Sequence, residues 1–327
     1  MFDIVALGET LIDFTPDGTN AQSSQLYAQN PGGAPANVLA MYAKLGGSAA
    51  FIGKVGADAF GNFLESTMQA AHIDTSALQK TKEAPTTLAF VHLDARGERS
   101  FSFYRHPGAD VCLTYDEVPE HLLKECRIFH FGSVSMTDEP CRTATLLAAQ
   151  KARECGALIS FDPNYRPALW KNKEEAVAVM LHGVSCADVL KVSWEEMTLL
   201  TKQKNLALGA KQLLQQGPAL VLITDGEKGS YFATESCSGF AAAYDVPVAD
   251  TTGAGDAFLG AALHCLQGVR REELPSLPQK RLQNMLHYAN AAGGCTAKKR
   301  GAIPAMPTQD EIERCMRETP CRKEMLG

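Results

Sequence analysis

The chain has no apolar run near the ~18 residues that a membrane span requires, and no lysine- or arginine-rich face. Its formal net charge is -6, so a membrane and a nucleic acid are both poor expectations as partners. Its ten cysteines form no CxxC pair and have no HxxxH to complement them. A structural zinc site is therefore excluded by spacing, and scattered thiols suit a reducing compartment. The opening "MFDIVALGET" carries an acid at position 3 and no basic stretch. It does not read as a secretory signal, and a cytoplasmic protein is expected. Also missing is any GxxxxGK[ST], which removes the phosphate-binding loop of that name.

What the chain does have is ordinary globular material. It is 327 residues long, 45% hydrophobic and 21% charged, which is enough for a large core in one domain. No repeat or linker divides it, so residues 1–327 are expected to form a single catalytic-sized unit. Short apolar runs recur at 3–8, 49–56, 127–132, 157–162, 188–193 and 219–224. Between them lie helix-period stretches, such as 35–46 with Val38, Met41, Tyr42 and Leu45 on one face, and Leu282, Met285, Leu286 and Ala289. Runs too apolar to alternate, separated by helices, predict an α/β fold with a mostly parallel sheet covered on both faces. Ligands in such sheets sit beyond the carboxyl ends of the strands.

One stretch departs from this rhythm. "TTLAFVHLDARGERSFSFYR" (86–105) alternates around a turn at Asp94 to Glu98 and reads as a hairpin. With residues about 10–30 it is expected to make a small β-sheet projecting from the main body. Its apolar side then needs a cover, either ligand or the same sheet of a second copy, which predicts a homodimer. The end of the chain, "RCMRETPCRKEMLG" (314–327), reads as a mixed-charge solvated tail, and His106 and His130 as structural or exposed side chains.

Two glycine segments carry chemistry. In "DTTGAGDAFLGAAL" (250–263), Gly253 and Gly255 let backbone N–H groups converge on one point, and a helix N-terminus begins there. Gly253-Ala254-Gly255 is thus a candidate anion hole, with Asp256 placed to take a proton from an attacking hydroxyl. The plainer alternative is that Thr252 caps a helix and Asp256 merely favours its dipole. Because a helix N-terminus favours an ionised carboxylate, no strongly raised pKa is expected for Asp256. The spacing Gly253-x-Gly255-x-x-Phe258 lacks the third small residue of the dinucleotide fingerprint, which argues against a nucleotide-binding oxidoreductase. In "NPGGAPANVLAMYAKLGG" (30–47), Gly32 and Gly33 open a second helix with Asn37 in its first turn. That pattern serves either a small polar ligand or a tight strand-to-helix turn.

These two segments, in this order, resemble the paired signatures of the PfkB (ribokinase-like) sugar kinases. "GETLIDF" (8–14) is similar to the family's opening strand, and "ITDGEKGS" (223–230) to its nucleotide segment. "FYRHPGAD" (103–110) and "FDPNYRPALW" (161–170) look most like fructokinases. The resemblance spans about residues 3 to 305. It implies a three-layer sandwich with a small lid sheet, ATP and Mg²⁺ as cofactors, and phosphorylation of a sugar hydroxyl. By position it implies Asp256 as general base, and Asp13, Gly32, Gly33, Asn37, Arg105 and Arg166 around the sugar. Thr224, Gly226, Gly229 and Asn290 would border the nucleotide, and Glu196 would reach magnesium through water. The family's Asn-x-x-Glu appears here as Ser193-Trp194-Glu195-Glu196, so only Glu196 carries over. Asp250 would seat a monovalent cation such as K⁺. The implied activity is that of a fructokinase. The alternatives are a 2-keto-3-deoxygluconate kinase, a riboside kinase, or a non-catalytic sugar-binding relative.

Overall fold

The computed structural model describes residues 1–93 and 99–322, so the predicted turn at Asp94 to Glu98 lies outside the described residues. Among the described residues, thirteen strands form two sheets. The larger uses β1 (Phe2–Leu7), β4 (Ala49–Gly56), β5 (Ile73–Thr81) and β8 (Cys126–Gly132) on one side. It continues through β9 (Leu158–Asp162), β10 (Val189–Ser193), β11 (Leu220–Thr224), β12 (Gly229–Ala233) and β13 (Ser238–Ala242). The order is β13-β12-β11-β10-β9-β8-β1-β4-β5. All neighbours are parallel except β11 with β12 and β12 with β13. The six apolar runs became β1, β4, β8, β9, β10 and β11, whereas β5, β12 and β13 lacked a comparable uninterrupted run.

Consecutive residues of the central strands point into different cores. Ile4, Ala6, Ile128 and Leu222 pack with Tyr42, Phe258 and Leu286 on one face. Val5, Leu7, Phe129, Phe161 and Val192 pack with Met180 and Met197 on the other. This two-sided burial is why the runs do not alternate, and it makes the molecule three layers thick. Each large apolar side chain so buried contributes about 1.5–3 kcal/mol.

The smaller sheet has order β3-β2-β6-β7, using β2 (Leu11–Thr19), β3 (Gln25–Gly32), β6 (Leu88–Leu93) and β7 (Arg99–Tyr104). The strands predicted at 10–30 and 86–105 therefore do join. One face puts Leu11, Asp13 and Phe103 over a cavity. On the other, Phe14 stacks on Phe90 at 4.9 Å and meets Phe60 edge-on, while Tyr27 and Tyr104 both contact Phe90.

The tail expectation needs correction. Residues Gln309–Glu318 form a helix that buries Ile312 and Cys315, and Cys321 bridges to Tyr244. Its apolar positions are few but lie on one face, so the charged average concealed an amphipathic helix. His130, by contrast, is a buried structural residue beside Ser160 Oγ. No helix among the described residues is long and apolar enough to cross a membrane.

Candidate active site

Two cavities open at the carboxyl ends of the parallel strands. The first, about 560 Å³, is lined by Glu9, Asp13, Gly33, Asn37, Arg166 and Asp256 among others. The second, about 620 Å³, is lined by Thr224, Gly226, Gly229, Phe258 and Asn290. Lys191, Thr251 and Gly255 line both, so the cavities share a wall at the glycine turn. A larger groove of about 820 Å³ near Tyr231 and Pro275 contains none of the predicted site residues. Most of the predicted site residues line the paired cavities.

The floor of the first cavity depends on glycine. Gly33 has φ 108°, and a Cβ there would stand 2.4 Å from the Glu9 carbonyl oxygen. A Cβ on Gly32 would meet Asp13 Oδ2 at 2.2 Å. These contacts let β3 run directly into the helix Ala34–Lys44, whose first N–H, from Ala34, donates to Glu9 Oε1 at 3.0 Å. One turn on, Asn37 Nδ2 donates to Asp256 Oδ2 at 2.8 Å. Residues 219 positions apart are thus locked together.

At the shared wall, Gly253 adopts φ 76° as the N-cap of the helix Ala254–Cys265, with no side-chain cap. Gly253, not Thr252, occupies the N-cap position, and the Thr252 hydroxyl donates to Asp250 Oδ1 at 2.7 Å. Asp256 is 9% exposed, and burial raises its pKa, with the Asn37 hydrogen bond and the Lys191 charge acting against that rise. The expectation drawn from the helix N-terminus left out desolvation, which sets the direction here. Asp13 is also pushed up, to about 7, by burial, with Arg166 opposing and the Asp256 charge reinforcing. Glu9 reaches about 7, again through burial.

Other predicted residues sit as follows. Arg166 lines the first cavity, its Nη1 donating to the Tyr165 carbonyl at 3.2 Å. Arg105 does not line it. Its guanidinium donates to Asp110 Oδ2, Thr137 Oγ1 and the Val134 carbonyl, at 5% exposure. A sequence match showed the arginine but not the buried Asp110 that turns it inward. Asn290 borders the second cavity while donating to the Ala241 and Ala242 carbonyls and accepting from Ser230 Oγ. Asp250 accepts from Thr252 N and Oγ1 and from Gly301 N, and so organises the turn.

Glu196 is buried and accepts from Tyr165 N at 2.7 Å and Ser193 N at 2.8 Å, while Ser193 Oγ caps the Glu196 N–H. No cluster of three His, Cys, Asp or Glu that could cage a metal occurs among the described residues. Each Glu196 oxygen keeps a second lone pair, so the donors fit a magnesium ion held by water and phosphate oxygens rather than by the protein.

Sequence reasoning passed over three residues. Lys191 is 7% exposed and pairs with Asp162 Oδ2 at 2.8 Å. Glu9 lies just beyond the end of β1. The available signal was a lysine inside the apolar run "DVLKVS", which a purely structural strand has no reason to bury.

The pfkB family carbohydrate kinase model matches residues 1–309. Fructokinase-1 of Oryza sativa subsp. japonica is 42% identical over 316 residues, covering 96% of this chain and 97% of that protein. Fructokinase-1 of Zea mays is 41% identical, covering 94% and 96%. Among solved structures, the fructokinase of Xylella fastidiosa with bound ATP superposes with a TM-score of 0.89 at 34% identity, covering 97% of this chain and 99% of that one. The fructokinase of Vibrio cholerae O395 bound to fructose, ADP and calcium ion gives 0.86 at 34% identity, covering 96% and 99%.

Proposed function

Since the chain belongs to the pfkB family of carbohydrate kinases, we propose that it is an ATP-dependent fructokinase converting D-fructose and ATP to D-fructose 6-phosphate and ADP. Membership makes it a phosphotransferase acting on a sugar hydroxyl. The observation that carries the reading is the adjacency of two cavities across one glycine turn, with Asp256 beside it. The sugar occupies the cavity lined by Asp13, Gly33, Asn37 and Arg166, with Gly32 packed behind Asp13, and the nucleotide that of Thr224, Gly226, Gly229 and Asn290.

In this mechanism the sugar oxygen attacks the terminal phosphorus as the bond to the ADP oxygen breaks, and the hydroxyl proton passes to Asp256. Phosphoryl transfer needs alignment and charge neutralisation more than covalent help. Asn37 aims the base, the Gly253-Ala254-Gly255 amides face the developing charge, and the small sheet covers the sugar and excludes water. Magnesium, when bound, neutralises phosphate charge, with Glu196 reaching it through water. Asp250 and the turn carbonyls would seat K⁺, so KCl should raise turnover over NaCl.

The first cavity also bears on the rival substrates. Withdrawal of Arg105 leaves Arg166 and Lys191 facing Glu9, Asp13 and Asp256. Burial raises the proton affinity of all three carboxyls, so they can donate as well as accept hydrogen bonds, which suits the hydroxyls of a neutral polyol. A coupled ADP-release assay over fructose, 2-keto-3-deoxygluconate, ribose, adenosine and aminoimidazole riboside tests this. Fructose should show the highest kcat/KM, and a preference for the keto acid would overturn the assignment.

The aromatic outer face of the small sheet, where Tyr104 is 65% and Tyr27 39% exposed, supports a homodimer through that sheet. Sedimentation should give twice the chain mass, and a strict monomer would remove the dimer.

A further inference from the structure

Donor and acceptor can meet only across the wall that the two cavities share. Of the three residues lining both sides, Lys191 alone carries a charge. Its ammonium lies 3.2 Å from where a Cβ on Gly255 would stand, directly beneath the glycine turn. A side chain at Gly255 would therefore crowd the cation, which gives this glycine a reason beyond backbone freedom.

The rest of β10 leaves Lys191 in this position unchallenged. Ser193 lies two residues on and shares its side of the strand, but its hydroxyl is used to cap the helix Trp194–Thr201. Glu196 is held by two backbone amides. Asp162 takes one of the three ammonium N–H donors of Lys191. The other donors are the ones available to phosphoryl oxygens. Asp162, Glu196 and Asp256 all favour the protonated lysine, against its burial, and its pKa is raised.

We propose that Lys191 is a catalytic residue whose ammonium grips the phosphoryl group as it crosses from the nucleotide cavity to the sugar cavity. Asp162 is its positioning residue, holding the flexible lysine stem under the turn. Lys191 exchanges no proton: the sugar oxygen gains phosphorus, ADP leaves with the electron pair of the broken bond, and Asp256 takes the proton. The cation meets the terminal phosphoryl oxygens in the bound triphosphate and holds them through the crossing, so its effect falls mostly on turnover and to a smaller extent on triphosphate affinity. The inference rests on the kinase reading above.

Lys191→Met alone strands Asp162 as a buried unpaired charge and can unfold the chain. The deciding variant is therefore Lys191→Met/Asp162→Asn, which removes both charges together. Loss of one preorganised donor at a developing anion lowers kcat by about 10²–10³-fold. That fall is expected with sugar KM and ADP affinity held within about threefold. Calorimetry with ADP and a non-hydrolysable ATP analogue supplies a second readout. The preference for the triphosphate should shrink about tenfold or more, the worth of one charge-assisted contact. A double variant with kcat within about threefold of the parent would overturn the proposal. So would an analogue-to-ADP affinity ratio unchanged from the parent. If the parent phosphorylates none of the sugars, the kinase reading falls, and the nucleotide ratio still decides the role of Lys191.

Discussion

Replacing Asp256 by Asn separates catalysis from stability at a single atom. The substitution keeps the shape and lets Asn37 Nδ2 still donate to a side-chain oxygen, as it does to Asp256 Oδ2 at 2.8 Å. It removes the ability to accept a proton. A positioned general base is worth about 10²–10⁴-fold in rate, or roughly 2.7–5.4 kcal/mol of barrier at 1.36 kcal/mol per tenfold. Turnover should fall by that factor while sugar binding, read by calorimetry, stays near the parent value. Stability should move the opposite way. Burial raises the Asp256 pKa above its ordinary 3.8, so the folded state holds a proton more tightly than the unfolded chain. Stability contributed by this group is then present at low pH and is lost as pH rises through the raised value. Asn carries no such charge, so at pH 8 the variant should melt at or above the parent temperature. The gap should close as pH falls towards 3.8. Retention of turnover within about tenfold would refute the base. A loss of turnover matched by a lower Tm would make Asp256 a structural residue.

Asp13→Asn should raise sugar KM by about 10–100-fold, the worth of hydrogen bonds to a charged group. Because burial lifts the Asp13 pKa from 3.8 to about 7, that residue erodes stability as pH rises across this window. The variant should flatten the fall in Tm, and an unchanged Tm–pH curve would contradict the burial argument. Arg105→Met breaks the buried pair with Asp110, whose two side chains are each 3% exposed, and should cost about 3–5 kcal/mol of stability with little change in KM for the folded fraction. A normal Tm with a raised sugar KM would return Arg105 to the cavity.

Much of this molecule was legible without coordinates. The six apolar runs announced buried parallel strands because a strand covered on both faces has no polar side to show. Gly32, Gly33, Gly253 and Gly255 announced sharp turns because only glycine permits such approach, and Gly33 and Gly253 do take positive φ. The helix Gln309–Glu318 was missed because its few apolar residues were averaged with its charges. Arg105 and Arg166 looked alike as residues, and only packing against Asp110 and Thr137 separated them.

Local sequence determined the alternation of strand and helix, the glycine turns and the presence of a carboxylate after the second one. These properties depend on neighbours along the chain: side-chain period, steric freedom and capping. Tertiary structure decided which distant groups share a field. It joined Asn37 to Asp256, set Lys191 under Gly255 against Asp162, and drew Asp13, Glu9 and Asp256 out of water far enough to raise their proton affinities. Desolvation and Coulomb attraction act through space, and a sequence does not record the distances on which they depend.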